Sequence, residues 1–297
     1  MSFTLTTCST ADLSIDHLKS RGVPYVCFHF TLNGENYVDD LGQSMSSADF
    51  YKAMEEGADT ATAQVNISEY LDFFTPILEQ GQDILHICLS SGLSGSYNSA
   101  VNAALIAREQ FPERKIYVVD SLGASSGLGL LVDLVADLRD AGASIEEARD
   151  WAEENKLKVN LWFFSTDLKY FVRGGRISKT SGFVGSVLGI CPLLNMDEEG
   201  HLVPRSKIRT KKRVMAEIVA RMEQYAENGT DYDGKVFISQ SAFMEEARTV
   251  ADMIEERFPK LNGKVKIFDI GTTIGSHTGP GTVALFFVGR DRSLPML

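Results

Sequence analysis

The stretch DILHICLSSGLSGSYNSA, residues 83–100, decides how the chain is read. Residues 83–90 are a short, nearly continuous apolar run, as expected of a β-strand covered on both faces. Helical spacing follows from about Ser94 to Arg108, with Ala100, Ala103, Ala104 and Ala107 offering close packing. A buried strand, a Gly/Ser loop and a helix form a βα unit. In an open α/β sheet such a loop lies at the carboxyl end of a strand, where ligands bind. The loop gathers Ser90, Ser91, Ser94, Ser96 and Ser99 around Gly92 and Gly95, without Lys or Arg. Hydroxyls and unpaired N–H groups at a helix start suit an anion. One serine in such a place is most often only a cap. Five serines with two glycines favour a binding loop.

The alternation continues on both sides of this unit. FTLTT (3–7) and KIYVVD (115–120) read as strands. Ser14 is the expected cap of a short helix that stops at Gly22. PYVCFHFTL is strand-like and runs into Asn33-Gly34, a hairpin turn. Helices are expected in SSADFYKAMEEG, ISEYLDFFTPILEQG, LGLLVDLVADLRDAG and SIEEARDWAEEN. Strands alternating with helices imply βαβ crossovers and a mainly parallel sheet. After VNLWFFS (159–165) the pattern changes. CPLLNMDEEGHLVP suggests two strands around an acidic turn, followed by helices near 209–227 and 242–258 and strands near 235–239, 264–270 and 282–289. The expectation is an α/β protein of two domains. Residues 1–158 form a three-layer α/β domain with a mainly parallel sheet, and residues 159–297 an α+β domain with a mixed sheet. Strand 159–165 fits either side of that boundary.

Composition narrows the function. The chain has 297 residues, enough for two ordinary domains with real cores. Net charge is −11, which argues against broad nucleic-acid binding or attachment to anionic membranes. No apolar run approaches the ~18 residues of a membrane span, and stable membrane insertion is not expected. MSFTLTTCSTADL has no basic region followed by an apolar core, so no signal peptide is expected and the protein is read as cytoplasmic. Cys8, Cys27, Cys88 and Cys191 are far apart and form no CxxC, which suits reduced, buried thiols.

Spacing excludes several familiar chemistries. GLSGS (92–96) ends in Ser96 where a nucleophile elbow needs glycine. GLGLLV (127–132) lacks the third glycine of a dinucleotide fingerprint and lies inside a helix pattern. No GxxxxGK[ST] occurs. No histidine is followed four residues on by a second ligand, so neither a metal nor a cofactor is expected. Two further constellations stand out. IGTTIGSHTGPGT (270–282) sets His277 among small residues, where a ligand can approach closely. An imidazole titrating near pH ~6.5 can serve as donor or base. VRGGRISK carries Arg173, Arg176 and Lys179, and KIRTKKR carries Lys207, Arg209, Lys211, Lys212 and Arg213. Most such side chains form solvated faces, but arginine's forked donors also suit a phosphate or an acidic protein surface.

TTCSTADL (6–13), TATAQ (60–64), LSSGLSGSYNSA (89–100), RGGRIS (173–178), KIRTKKR (207–213) and IGSHTGPGT (274–282), in that order, resemble the DegV family. The resemblance covers essentially the whole chain. It implies two α/β domains with a long-chain fatty acid buried between them. It also implies, for some members, a non-catalytic role as binding subunit of a bacterial fatty-acid kinase, presenting the acyl carboxylate to an ATP-using subunit that makes acyl phosphate. Carried onto this chain, the resemblance sets Thr62, Ser91 with Ser94 and Gly95 nearby, and His277 at the carboxylate. Arg209, with Arg173 and Arg176, would lie toward the kinase partner. Two positions depart from the family pattern: Cys8 stands where Asp is usual, and Ala63 where Ser is usual. Thiols accept hydrogen bonds weakly, so the polar frame around Thr62 differs. Two rival readings remain. One is a Ser/His hydrolase using Ser94 or Ser91 with His277. The other is a phosphate- or nucleotide-binding module on the basic clusters, weakened by the missing phosphate-loop lysine. FVGSVLGICPLL (183–194), apolar and glycine-bearing, is the candidate tunnel wall, with ordinary core as its stronger reading.

Overall fold

The computed structural model describes residues 3–178 and 189–297. Lys179 and residues 183–188 of the candidate tunnel wall therefore lie outside the described residues.

The first half is built on a parallel sheet. Strands β1 (Thr4–Cys8), β2 (Tyr25–Val26), β6 (Ile84–Cys88) and β7 (Ile116–Asp120) lie in the order β2-β1-β6-β7. Helix α1 (Ile15–Ser20) links the first two, with Ser14 accepting from the His17 N–H. Helices α3 (Ile67–Glu79) and α4 (Ser96–Gln110) pack together beside this sheet, while α5 (Ser126–Asp140) and α6 (Ile145–Asn155) pack together and also contact it. Reciprocal capping boxes, Asn66 with Glu69 and Ser144 with Glu147, start α3 and α6.

The second half is a mixed sheet. β8 (Val159–Ser165), β9 (Ile190–Met196), β10 (Leu202–Arg209), β11 (Val236–Ser241), β12 (Lys266–Asp269) and β13 (Thr282–Val288) lie in the order β10-β9-β8-β13-β11-β12. Strand 159–165, which could have joined either half, pairs antiparallel with β9 and β13. Side-chain alternation divides this sheet's faces. Leu161, Phe163, Ala284 and Phe286 share a core with the parallel sheet. Trp162, Phe164, Leu285 and Phe287 form a second core under α8 (Lys211–Tyr225) and α9 (Met244–Arg257).

Helix α5 is the shared layer, touching β1 and β6 of one sheet and β8, β11 and β13 of the other. The glycines of GLG, which failed as a dinucleotide fingerprint, permit this packing. A Cβ on Gly127 would lie 2.8 Å from Phe286, and one on Gly129 would lie 2.7 Å from the Ala11 carbonyl. The α/β fold class with a parallel and a mixed sheet is observed.

Three elements were not anticipated. β3 (His29–Leu32) and β4 (Glu35–Val38) form the expected hairpin at Asn33-Gly34, but β5 (Thr60–Ala63) adds to its other edge. The order is β4-β3-β5, a third sheet backed by α2 (Ser47–Glu55) through Phe30, Phe50 and Tyr51. Short helices α7 (Lys169–Arg173) and α10 (Thr272–Thr278) pack on each other beside it. Propensity does not favour α10, which carries Gly275 and several β-branched residues. Tertiary partners hold it instead. The Asp12 and Asp39 carboxylates accept from the N–H groups of Gly271 and Thr273, and Tyr51 fills the space beside Gly275.

Candidate functional site

A cavity of about 520 Å³ opens where the three sheets converge. Its size falls within the ~300–1,000 Å³ usual for small-molecule sites. Most of its wall is apolar: Leu161, Phe163, Ala284 and Phe286 from the inner face of the mixed sheet, with Phe28 and Leu89 opposite. The stretch 183–194 was a candidate for this wall, but its described part, residues 189–194, does not line the cavity and follows the stronger reading of ordinary core. Cys191 and Leu193 pack in the second core and Leu194 in the shared core. The wall comes from β8 and β13 because alternation turns these side chains toward the face shared with the parallel sheet.

Polar groups gather at one part of the lining. Thr62 on β5 and His277 on α10 share a hydrogen bond, Oγ1 to Nε2, of 2.8 Å. Residues 215 apart in sequence therefore meet because the small third sheet packs on α10. Ser94 and Gly95, before the first turn of α4, line the same cavity. Gly95 is the N-cap and makes no side-chain bond, so apart from the Ser96 N–H held by Ser94 Oγ at 3.2 Å no side chain caps this helix start. Gln64 also lines the site and donates to Ser99 Oγ at 3.2 Å.

The positive charge missing from the serine loop comes from Arg176. This half-buried side chain lines the cavity and donates to the carbonyls of Gly174 at 2.6 Å and Leu93 at 2.8 Å. No carboxylate pairs with it among the described residues. Burial lowers its pKa from the usual arginine value, yet a guanidinium stays charged at neutral pH. The expectation had put Arg176 on an outward-facing basic cluster. The glycine pair before it explains the difference. A Cβ on Gly174 would fall 2.1 Å from His277 Nδ1, so only glycine lets the end of α7 lie against the imidazole. Gly175, with φ of 72°, then turns the chain so that Arg176 reaches back to Leu93.

His277 is consequently a neutral ring at pH 7. Burial, then the charges of Arg176 and Arg173, push its pKa down to about 4. Among the described residues its Nδ1 has no hydrogen-bond partner. Neither Ser91 nor Ser94 bonds to the ring and no acid orients it among the described residues, so the hydrolase reading has no nucleophile–base pair there.

The remaining candidates lie elsewhere. Ser91 is exposed and its N–H donates to Asp120 at 3.1 Å; it does not line the cavity. Arg173 sits at the rim, bonded to Asp59 at 3.0 Å and Thr60 Oγ1 at 2.9 Å, holding α7 to β5. Arg209 is exposed on β10, outside the cavity lining. Sequence reasoning missed the inward role of Arg176 and the contributions of Gln64, Ser125 and Thr273 to the wall. RGG was the available signal: two glycines beside an arginine mark a close approach.

Comparison with known proteins adds to this geometry. A family model described as an uncharacterised protein of the DegV family matches residues 2–290. A DegV domain-containing protein of Clostridium perfringens is 35% identical over 290 residues, covering 98% of each chain. Among solved structures, a DegV family protein from Thermus thermophilus, described by its fatty acid binding, superposes with a TM-score of 0.84 at 26% identity, covering 98% of this chain and 100% of that one. The fatty acid kinase (Fak) B3 protein of Streptococcus pneumoniae, loaded with linoleic acid, superposes with a TM-score of 0.83 at 24% identity over 98% of this chain and 100% of that one, a likeness of fold.

Proposed function

The chain belongs to the DegV family, and from that premise we propose that it binds one long-chain fatty acid in the cavity between residues 1–158 and 159–297. The observation that carries this reading is an apolar cavity lined by a guanidinium that no carboxylate pairs among the described residues. Thr62, Ser94, Gly95 and Arg176 hold the carboxylate, and His277 acts through Thr62. When His277 Nε2–H donates to Thr62 Oγ1, the threonine proton is free for the ligand. Ser94 rather than Ser91 makes the direct contact. Hydrogen bonds to a charged group contribute ~1.5–3 kcal/mol each. The tail contributes more: about fourteen methylenes at ~0.8 kcal/mol give a gross ~11 kcal/mol, much reduced by association and ordering costs. Affinity thus resides in the apolar wall, and the polar end fixes orientation.

The division at residue 158 is supported by strand pairing, since β1–β7 pair only among themselves and β8–β13 likewise among the described residues. The role is binding rather than catalysis, with no cofactor. Among the described residues no helix is long and apolar enough to cross a membrane, and the protein is proposed to act in the cytoplasm. The partner is an ATP-dependent fatty-acid kinase subunit that phosphorylates the presented carboxylate, with Arg209 on the docking face. Mass spectrometry of material released from the purified, denatured protein tests the first step. A long-chain fatty acid at about one per chain is expected. Recovery of none, with no binding of added fatty acid by the delipidated protein, would overturn the reading.

A further inference from the structure

Behind the start of α4 lies a second polar cluster that the cavity does not use. Two-residue periodicity sets Thr6 and Cys8 on one face of β1 and His86 and Cys88 on the same face of β6. The parallel register aligns Thr6 with His86, so Cys8 and Cys88 fall opposite one another two residues on. All three of Cys8, His86 and Cys88 are fully buried. Cys8 Sγ lies 3.8 Å from Cys88 Sγ and 3.6 Å from His86 Nε2, and the ligand atoms of the three lie within 4.8 Å of one another. Tyr70, on α3, brings its hydroxyl to 3.6 Å from Cys8 Sγ and 3.5 Å from Cys88 Sγ.

We propose that Cys8, Cys88 and His86 form a binding site for a thiophilic divalent cation of the zinc type, with the Tyr70 hydroxyl at the fourth corner. The distances carry the geometry. A tetrahedral ion with bonds of about 2.3 Å to sulfur and about 2.0 Å to imidazole sets the sulfurs about 3.8 Å apart and a sulfur and the nitrogen about 3.5 Å apart. The apo cluster already has those separations about Cys8. The charge also closes. Binding one dication releases the two thiol protons, and two thiolates with a neutral imidazole and a neutral phenol leave no net charge to bury. The outer contacts orient the ligands. Thr6 Oγ1 lies 2.9 Å from His86 Nδ1, leaving Nε2 for the ion. Tyr70 Oη lies 2.8 Å from Ser96 Oγ, which accepts a hydrogen bond from the phenol O–H when the phenol oxygen binds the ion. Tyr70 and Phe74 pack edge-on against the imidazole and hold its plane. Sequence spacing gave no sign of this site, because its two cysteines are 80 residues apart and His86 and Cys88 follow a strand period rather than a helical one.

Full burial means the ion enters as the chain folds, so the test begins from unfolded protein. The full chain, unfolded, reduced and freed of metal with a chelator, is refolded with one equivalent of Co²⁺ and then titrated with Zn²⁺. The expected result is a thiolate-to-cobalt charge-transfer band with the strong visible absorption of a tetrahedral site, saturating at one ion per chain and bleached by zinc. Cys88→Ser abolishes the band, and Tyr70→Phe, which keeps the packing, alters its visible envelope while sparing the charge-transfer band. Circular dichroism verifies that each variant folds. A folded wild-type chain without the band, or a Cys88→Ser chain that keeps it, would overturn the proposal. So would a Cys8–Cys88 disulfide closing in preference to cobalt binding under reducing conditions.

Discussion

The two polar clusters meet at Gly95-Ser96 and lack opposite things. On one side Gly95 faces a cavity where, among the described residues, Arg176 is bonded only to carbonyls and His277 Nδ1 has no partner. On the other side Ser96 closes a sealed chain of contacts through Tyr70, Cys88, Cys8, His86 and Thr6. The first has surplus positive charge beside open space, which an anion with a bulky tail would satisfy. The second has soft ligands, fully buried, with their separations already set. Buried polar groups are normally satisfied within the protein, so a cluster left incomplete points to a ligand. What each cluster leaves incomplete indicates the sign of its guest.

The largest expected effect tests whether the cavity cluster keeps His277 neutral. Its folded pKa of about 4 lies below the ordinary value of ~6.5. The unfolded chain therefore binds a proton that the folded chain refuses between those pH values. The stability contribution is full above pH ~6.5 and is lost as pH falls toward 4, by about 2–3 kcal/mol. Asp12 and Asp39 run the other way: burial raises both carboxyls, so their contribution grows as pH falls. The difference between delipidated wild type and His277→Gln isolates the imidazole. Urea midpoints measured from pH 7 down to 4.5 should fall more steeply for wild type, and parallel curves would remove the neutral-imidazole account. A bound carboxylate should flatten the wild-type curve by offsetting the two arginines.

Next in size is the charge itself. Arg176→Ala removes the cation beside the ligand and should weaken fatty-acid binding by roughly 10- to 100-fold, the equivalent of ~1.5–3 kcal/mol. Titration of the delipidated protein with a fluorescent fatty acid measures it. An unchanged affinity would mean that Arg176 serves only to hold the Leu93 and Gly174 carbonyls. Thr62→Val and Ser94→Ala each remove one neutral hydroxyl and should cost about 1 kcal/mol, a few-fold in affinity. Ser91→Ala should leave affinity unchanged, because its side chain lies outside the cavity lining. If Ser91→Ala costs more than Ser94→Ala, the loop rearranges on binding.

The same contrast explains what could be read before the structure. Strands β6, β7 and β8 and the longer helices were legible because a short apolar run and a period of 3.6 are local properties of the chain. The five serines were legible only as a group. Ser90 donates to the Gly200 carbonyl and latches the loop to the β9–β10 turn, Ser96 meets Tyr70, and Ser99 accepts from Gln64. Of the five, only Ser94 lines the cavity. β5 is four residues of alternating Thr and Ala, and α10 is seven residues held by Asp12, Asp39 and Tyr51. Neither has a period long enough to be seen, yet together they carry the Thr62–His277 pair. The thiol cluster was invisible for the same reason at longer range: strand register, not spacing along the chain, brings Cys8 to Cys88.

The smallest effect on the molecule itself belongs to Arg209, and it separates binding from presentation. Arg209 is an exposed side chain on β10, an edge strand of the mixed sheet, and none of the cavity wall depends on it. Exposed substitutions of this kind change stability by no more than ~0.5 kcal/mol. Arg209→Ala should therefore leave fatty-acid affinity and the urea midpoint where they are. An arginine on a docking face gains its energy only when an acidic group from the partner reaches it. The loss should accordingly be confined to the partnered reaction, as a lower rate of acyl-phosphate formation when the loaded protein is mixed with an ATP-dependent fatty-acid kinase subunit. Weakened lipid binding in Arg209→Ala would join the two surfaces into one site, and an unaltered reaction rate would move the docking face away from β10.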